Sequence, residues 1–182
     1  MPRRPIFAGL LVAAVTMAAF LLLVPGGGLQ RLVGDRSAAP DGHAAVGAPA
    51  PAVVGTTLDG AAFDLKALAG QPVIINFWGP GCAPCRDEFP LLEAKLAQHA
   101  SSGLVVVGVL TDDPVEPARE FVAAFHATWQ TVIDPDQAIK AAYRVAARPQ
   151  SYFVDRSGVI RSIQAGYLTD ADFERQFAQI AQ

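Results

Sequence analysis

Between residues 53 and 182 the apolar positions fall into short runs of two kinds. Val53–Leu58 and Ala61–Leu65 alternate around the turn Asp59-Gly60, which predicts a β-hairpin. Gln71–Trp78 and Leu104–Leu110 are apolar on both faces, as expected of strands at the centre of a sheet covered by helices. Between and after them the period changes to that of a helix. Phe89, Leu91, Leu92 and Leu96 mark one face of a helix over 84–99, interrupted by Pro90, which predicts a kink. Phe121, Val122 and Phe125 mark a second helix over 115–127. A short helical turn over Leu65–Leu68 stops at Gly70. A short strand at 131–133 and a short helix at 137–143 follow. The segments 151–154 and 159–165 form a hairpin around Asp155-Arg156-Ser157-Gly158. A last helix is capped at Thr169 or Asp170 and turns Phe173, Phe177 and Ile180 inward. The order βαβα then ββα predicts an α/β fold, a central mixed β-sheet with helices on both faces and an N-terminal β-hairpin extension.

The N-terminal pattern differs. Arg3 and Arg4 precede an apolar run of 19 residues, Ile6–Val24. That length spans a bilayer's hydrocarbon core, and no small-residue cleavage site follows, so residues 1–24 read as a retained signal-anchor rather than a cleaved leader. The arginines place the N-terminus in the cytoplasm and the rest of the chain outside. Residues 25–46, rich in Gly, Ala, Pro and Asp, read as a flexible linker, and 47–182 as one domain. That domain carries 15 acidic and 10 basic residues with no basic cluster, which argues against a nucleic-acid partner.

The chain has two cysteines, Cys82 and Cys85, at the point where the strand ending in Asn76-Phe77-Trp78 feeds the first long helix. Free N–H groups in a first helical turn stabilise a thiolate at Cys82, and the two-residue spacer lets Cys85 attack the Cys82 sulfur. Cys82 is the candidate nucleophile and Cys85 the resolving thiol. A structural zinc site needs four ligands, and His43, His99 and His126 show no ligand spacing. A disulfide closing so short a loop adds little stability. Redox chemistry is the reading that remains, with no bound cofactor and no metal.

Several motifs together resemble the thioredoxin superfamily, and within it the membrane-anchored extracytoplasmic ResA/TlpA/DsbE group. They are Asn-Phe-Trp before the C-x-x-C, Cys85-Arg86-Asp87-Glu88-Phe89-Pro90 after it, Arg148-Pro149 before a strand, Gly47-Ala48-Pro49, Leu58-Asp59-Gly60 and Gly158-Val159-Ile160. The resemblance covers about residues 47–182. It implies a thioredoxin-like fold, a cis peptide at Pro149 and substrate contact by Trp78, Arg148 and Pro149. On the residues alone, a trans bond at Pro149 and a packing role for Trp78 are the simpler readings. It further implies a monomer that reduces protein disulfides, such as apocytochrome c cysteines, drawing electrons from a transmembrane thiol-reductant protein. Thioredoxin has a buried aspartate where this chain has Asn76, and Glu88 is the candidate replacement base; the alternative is a solvated surface glutamate. Two departures stand out. Gly81 takes the place of the family's tryptophan, and Arg148 that of an uncharged residue. The Arg148 guanidinium points either to the sulfurs or to solvent. Asp112-Asp113-Pro114 reads as a helix start, and His99 and His126 as surface residues. The rival functions are a disulfide-donating oxidase, a copper-handling assembly protein using both thiols, and a thiol peroxidase. For the last, Gly79-Pro80-Gly81 lacks the expected threonine or serine.

Overall fold

The computed structural model describes residues 42–182; the signal-anchor and most of the linker expected from the sequence lie outside the described residues. Among the described residues no helix is long and apolar enough to cross a membrane. A five-stranded sheet runs in the order β5–β4–β3–β6–β7, with β3 Val73–Trp78, β4 Val105–Leu110, β5 Gln130–Ile133, β6 Gln150–Val154 and β7 Ile160–Ala165. β4 pairs parallel with β3 and with β5, whereas β6 pairs antiparallel with β3 and with β7. All six residues of β3 are buried, which the run of apolar residues anticipated.

Period-2 alternation divides β3 between two cores. Ile74 and Trp78 face one core, built with helices α1 (Ala83–Gln98), α2 (Val115–Ala124) and α4 (Asp170–Phe177). Val73, Ile75 and Phe77 face the other, with α3 (Ala138–Ala142). Phe89 of α1 is fully buried, and its ring centroid lies 4.7 Å from that of Trp78 and 4.9 Å from those of Phe121 and Trp129. One aromatic side chain thus joins β3, α1, α2 and the start of β5.

Among the differences from the expected element boundaries, three stand out. The first hairpin is only β1 Val54–Thr56 and β2 Ala62–Asp64, because Thr57 and Leu58 leave it to pair with the β5 edge. There the Leu58 N–H donates to the Thr131 carbonyl at 2.8 Å. Helix α2 ends at Ala124 because His126 adopts a positive φ of 53°. Helix α4 ends at Phe177, and Ile180 is buried beyond its end. Pro90 lies inside α1, which continues through it as one element to Gln98.

Candidate active site

β3 delivers the chain to the sheet's C-terminal edge, where Gly79-Pro80-Gly81 turns it into α1. Cys82 is the N-cap residue of that helix and Pro84 sits in its first turn, where a missing N–H costs nothing. The Cys85 N–H points at Cys82 Sγ at 3.2 Å, so the helix start presents a donor to the atom that bears charge in the reduced state. The two cysteines are joined in a disulfide with Cα atoms 5.3 Å apart. They differ in access: Cys82 retains 8% of its surface and Cys85 none. An incoming nucleophile or disulfide therefore reaches Cys82 alone. A cleft of about 450 Å³ opens beside it, lined on one side by Gly81, Cys82 and Pro84 and on the other by Lys140, Ala147 and Arg148.

The peptide bond Arg148–Pro149 is cis, as the resemblance implied. The Gly166 N–H donates to the Pro149 carbonyl at 2.9 Å, and β6 begins at the residue after Pro149, Gln150.

Glu88 is buried, which overturns the solvated alternative. One helical turn beyond Cys85 on α1, it accepts hydrogen bonds from Asn76 Nδ2 and from the Leu168 N–H, both at 2.9 Å. Burial pushes its carboxyl pKa up to about 7, against the opposing pull of those two donors. Asn76 in turn donates to Ser151 Oγ at 2.9 Å, so β3, β6, α1 and the loop before α4 meet at one carboxyl group. A group titrating near neutrality, buried on the same helical face as a buried thiol, is suited to accept its proton.

Trp78 and Arg148 have surroundings other than those the resemblance implied. Trp78 is fully buried, packed edge-on against Phe89 and tilted against Phe121, so it offers no surface to a bound chain and is a packing residue. The Arg148 guanidinium is bound by the loop after β4 rather than lying free beside the sulfurs or in open solvent. Its Nη1 donates to the Thr111 carbonyl and to the Asp113 carboxylate, and Asp112 lies 3.8 Å from its Nε. The segment Asp112-Asp113-Pro114 does lead into α2, with Pro114 as its N-cap, but no side chain caps the helix and both carboxylates are used elsewhere. Asp112 pairs with Lys140 at 2.6 Å, and Asp113 with Arg148. The sequence reading missed Asp113 as a site residue. The signal was available in Gly79 and Gly81, two residues without side chains flanking Pro80, which mark a close approach by another group. His99, expected at the surface, is half-buried: its ring lies 4.1 Å from that of Phe177, and its Nε2 is 3.2 Å from Glu174.

A reachable sulfur at a helix N-terminus, a buried partner sulfur, a buried carboxyl group and a neighbouring cis-proline, on a thioredoxin-like fold, together define a thiol–disulfide oxidoreductase. Comparison with known proteins agrees, and the chain belongs to the AhpC/TSA family, whose model matches residues 46–163. It is 32% identical over 136 residues to the thiol-disulfide oxidoreductase ResA of Geobacillus kaustophilus, covering 75% of this chain and 78% of that one. Among solved structures it resembles a thioredoxin-family thiol:disulfide interchange protein of Chlorobium tepidum, with TM-score 0.67 and 26% identity over 74% of this chain and 96% of that one. It also resembles a secreted Mycobacterium tuberculosis disulfide oxidoreductase homologous to DsbE, with TM-score 0.63 and 27% identity over 69% and 94%.

Proposed function

We propose that this enzyme is tethered to the cytoplasmic membrane with its catalytic domain outside, where it reduces protein disulfides. Apocytochrome c cysteines awaiting haem are the leading substrate, and a transmembrane thiol-reductant protein is the electron donor. The Cys82 thiolate attacks a substrate disulfide, forming a mixed disulfide and releasing one substrate thiolate. Cys85 passes its proton to Glu88 and attacks Cys82 Sγ. The Cys82–Cys85 disulfide forms, the second substrate sulfur leaves as a thiolate that takes up a proton, and two electrons have passed to the substrate.

The observation that carries the direction of flow is the buried Glu88. A carboxylate near the pair disfavours a thiolate, and Arg148, the cation that would favour one, is engaged by Asp113. A couple becomes strongly oxidising when its reduced form is stabilised, and these charges do not stabilise it. The disulfide-donating alternative drew its support from Arg148, whose charge Asp113 offsets.

The test is the reduction potential of the Cys82/Cys85 pair in the full-length protein, equilibrated against a thiol buffer. The expected value lies nearer thioredoxin's, about −270 mV, than the strong oxidant DsbA's, about −120 mV. A value close to the latter contradicts the reducing role.

A further inference from the structure

The turn that carries Cys82 is built around an ion pair. A Cβ added to Gly79 would overlap both the Arg148 guanidinium and the Asp113 carboxylate, and one added to Gly81 would lie 2.9 Å from Asp113 Oδ1. Real side chains do not approach so closely, so the carboxylate occupies the space that any side chain at residue 79 or 81 would take. This ion pair seats the segment after β4 against the turn before Cys82. It also ties Arg148, the residue before cis-Pro149, to both, since Arg148 Nη1 reaches the Thr111 carbonyl and Asp113 together. The pair is largely sheltered: the side chains of Arg148 and Asp113 are 18% and 16% exposed.

Three loops beside the reactive sulfur therefore meet at one ion pair. The other charges near the turn have partners or positions of their own. Lys140 is taken by Asp112, Arg86 lies over the Phe121 ring at 5.0 Å, Glu88 is held by Asn76 and Leu168, and Asp87 is exposed on α1. Arg148, which lines the cleft beside Cys82, and Asp113, which abuts the turn before Cys82, are thus an opposed pair of charges next to the segment that carries the reactive sulfur.

We propose that Asp113 is a positioning residue for disulfide exchange: it fixes Arg148 against the glycine turn and cancels its charge, so that Arg148 does not stabilise the Cys82 thiolate. The inference rests on the reading of Cys82 as the attacking thiol. It assigns the glycine at residue 81 a physical role, as the space into which this carboxylate fits.

The sign of each substitution follows from Coulomb's law. Asp113→Asn removes a negative charge and keeps an acceptor oxygen for Arg148, so the loops stay packed while the cation is no longer cancelled. Arg148→Gln removes the cation and leaves two carboxylates without it. The experiment measures the rate of iodoacetamide alkylation against pH in the reduced full-length protein, with the modified cysteine mapped by peptide mass spectrometry. Asp113→Asn is expected to lower the Cys82 pKa by about half a unit or more, and Arg148→Gln to raise it by a similar amount. The double variant is expected to return to within about a quarter unit of the native value, because the two charges act on the sulfur through each other. Circular dichroism confirms that each variant is folded. A purely structural role lowers the melting temperature but leaves the Cys82 pKa in place, and that result overturns the proposal. So do two single substitutions that shift the pKa in the same direction. Alkylation that maps to Cys85 as the reactive thiol overturns instead the assignment on which the proposal rests.

Discussion

At the scale of single residues, the site divides by what each side chain shows in the sequence. Cys82 and Cys85 are legible because spacing alone fixes their relation, and cis-Pro149 because it came with a family pattern. Glu88 is legible as a position on the cysteine face of α1, but its burial is not, since that depends on Asn76 and on Leu168, 80 residues away. Arg148 is least legible, because the direction of a long side chain depends on partners 35 and 37 residues away. Glu88 also links the site to stability. Its folded pKa of about 7 lies above the ordinary 4.5, so the folded state holds this proton longer than the unfolded chain. The associated stability is fully present below pH 4.5 and is lost as pH rises through 7, by roughly 3 kcal/mol. Glu88→Gln removes that dependence. In denaturant titrations of the oxidised protein, the stability of native minus variant should fall steadily between pH 4.5 and 7; a constant difference contradicts the assignment. The same variant should resolve mixed disulfides roughly tenfold or more slowly above pH 7, where the native carboxylate is ionised, as followed by stopped-flow fluorescence.

At the scale of elements, the pattern of apolar positions placed every strand and α-helix of the described domain but not the short helical turn Ala100–Ser102, and the other misses lie at element ends. Those ends are set by contacts between elements. Thr57 and Leu58 look like strand from their own sequence, yet the β5 edge captures them. Helix α4 shows the opposite case, where a local signal decides. Thr169 Oγ1 accepts the Asp172 N–H at 3.1 Å, and the Asp172 carboxylate reaches back to Thr169, a capping box fully contained in four residues. Helix α1 owes its seat to Phe89. Phe89→Ala should destabilise the domain by about 3–5 kcal/mol, because a ring shared by three neighbouring elements leaves a cavity that none can fill alone. Urea unfolding measures this directly, and a loss below about 1 kcal/mol contradicts the packing described here.

At the scale of the whole molecule, the sheet order places β3 at the centre, so the strand that carries Asn76 and leads to Cys82 is paired on both sides, by β4 and β6. Pairing with β6 also sets the register that brings Ser151 opposite Asn76 and starts β6 directly after cis-Pro149. Neither pairing can be read from local pattern, since parallel β4 and antiparallel β6 look alike as apolar runs. The proposed tether is tested at this scale as well. Full-length protein should remain in the membrane fraction after carbonate extraction, and a soluble form whose N-terminus lies between residues 25 and 46 contradicts it. The central claim is the division of labour between the two sulfurs, which follows from their different exposure on one helix start. The most direct measurement is trapping of mixed disulfides with a disulfide-bonded protein substrate, resolved on non-reducing gels. Cys85→Ser should accumulate a covalent complex through Cys82, whereas Cys82→Ser should form none and be inactive. A complex trapped by Cys82→Ser, with Cys85→Ser inert, would reverse the roles and contradict the account.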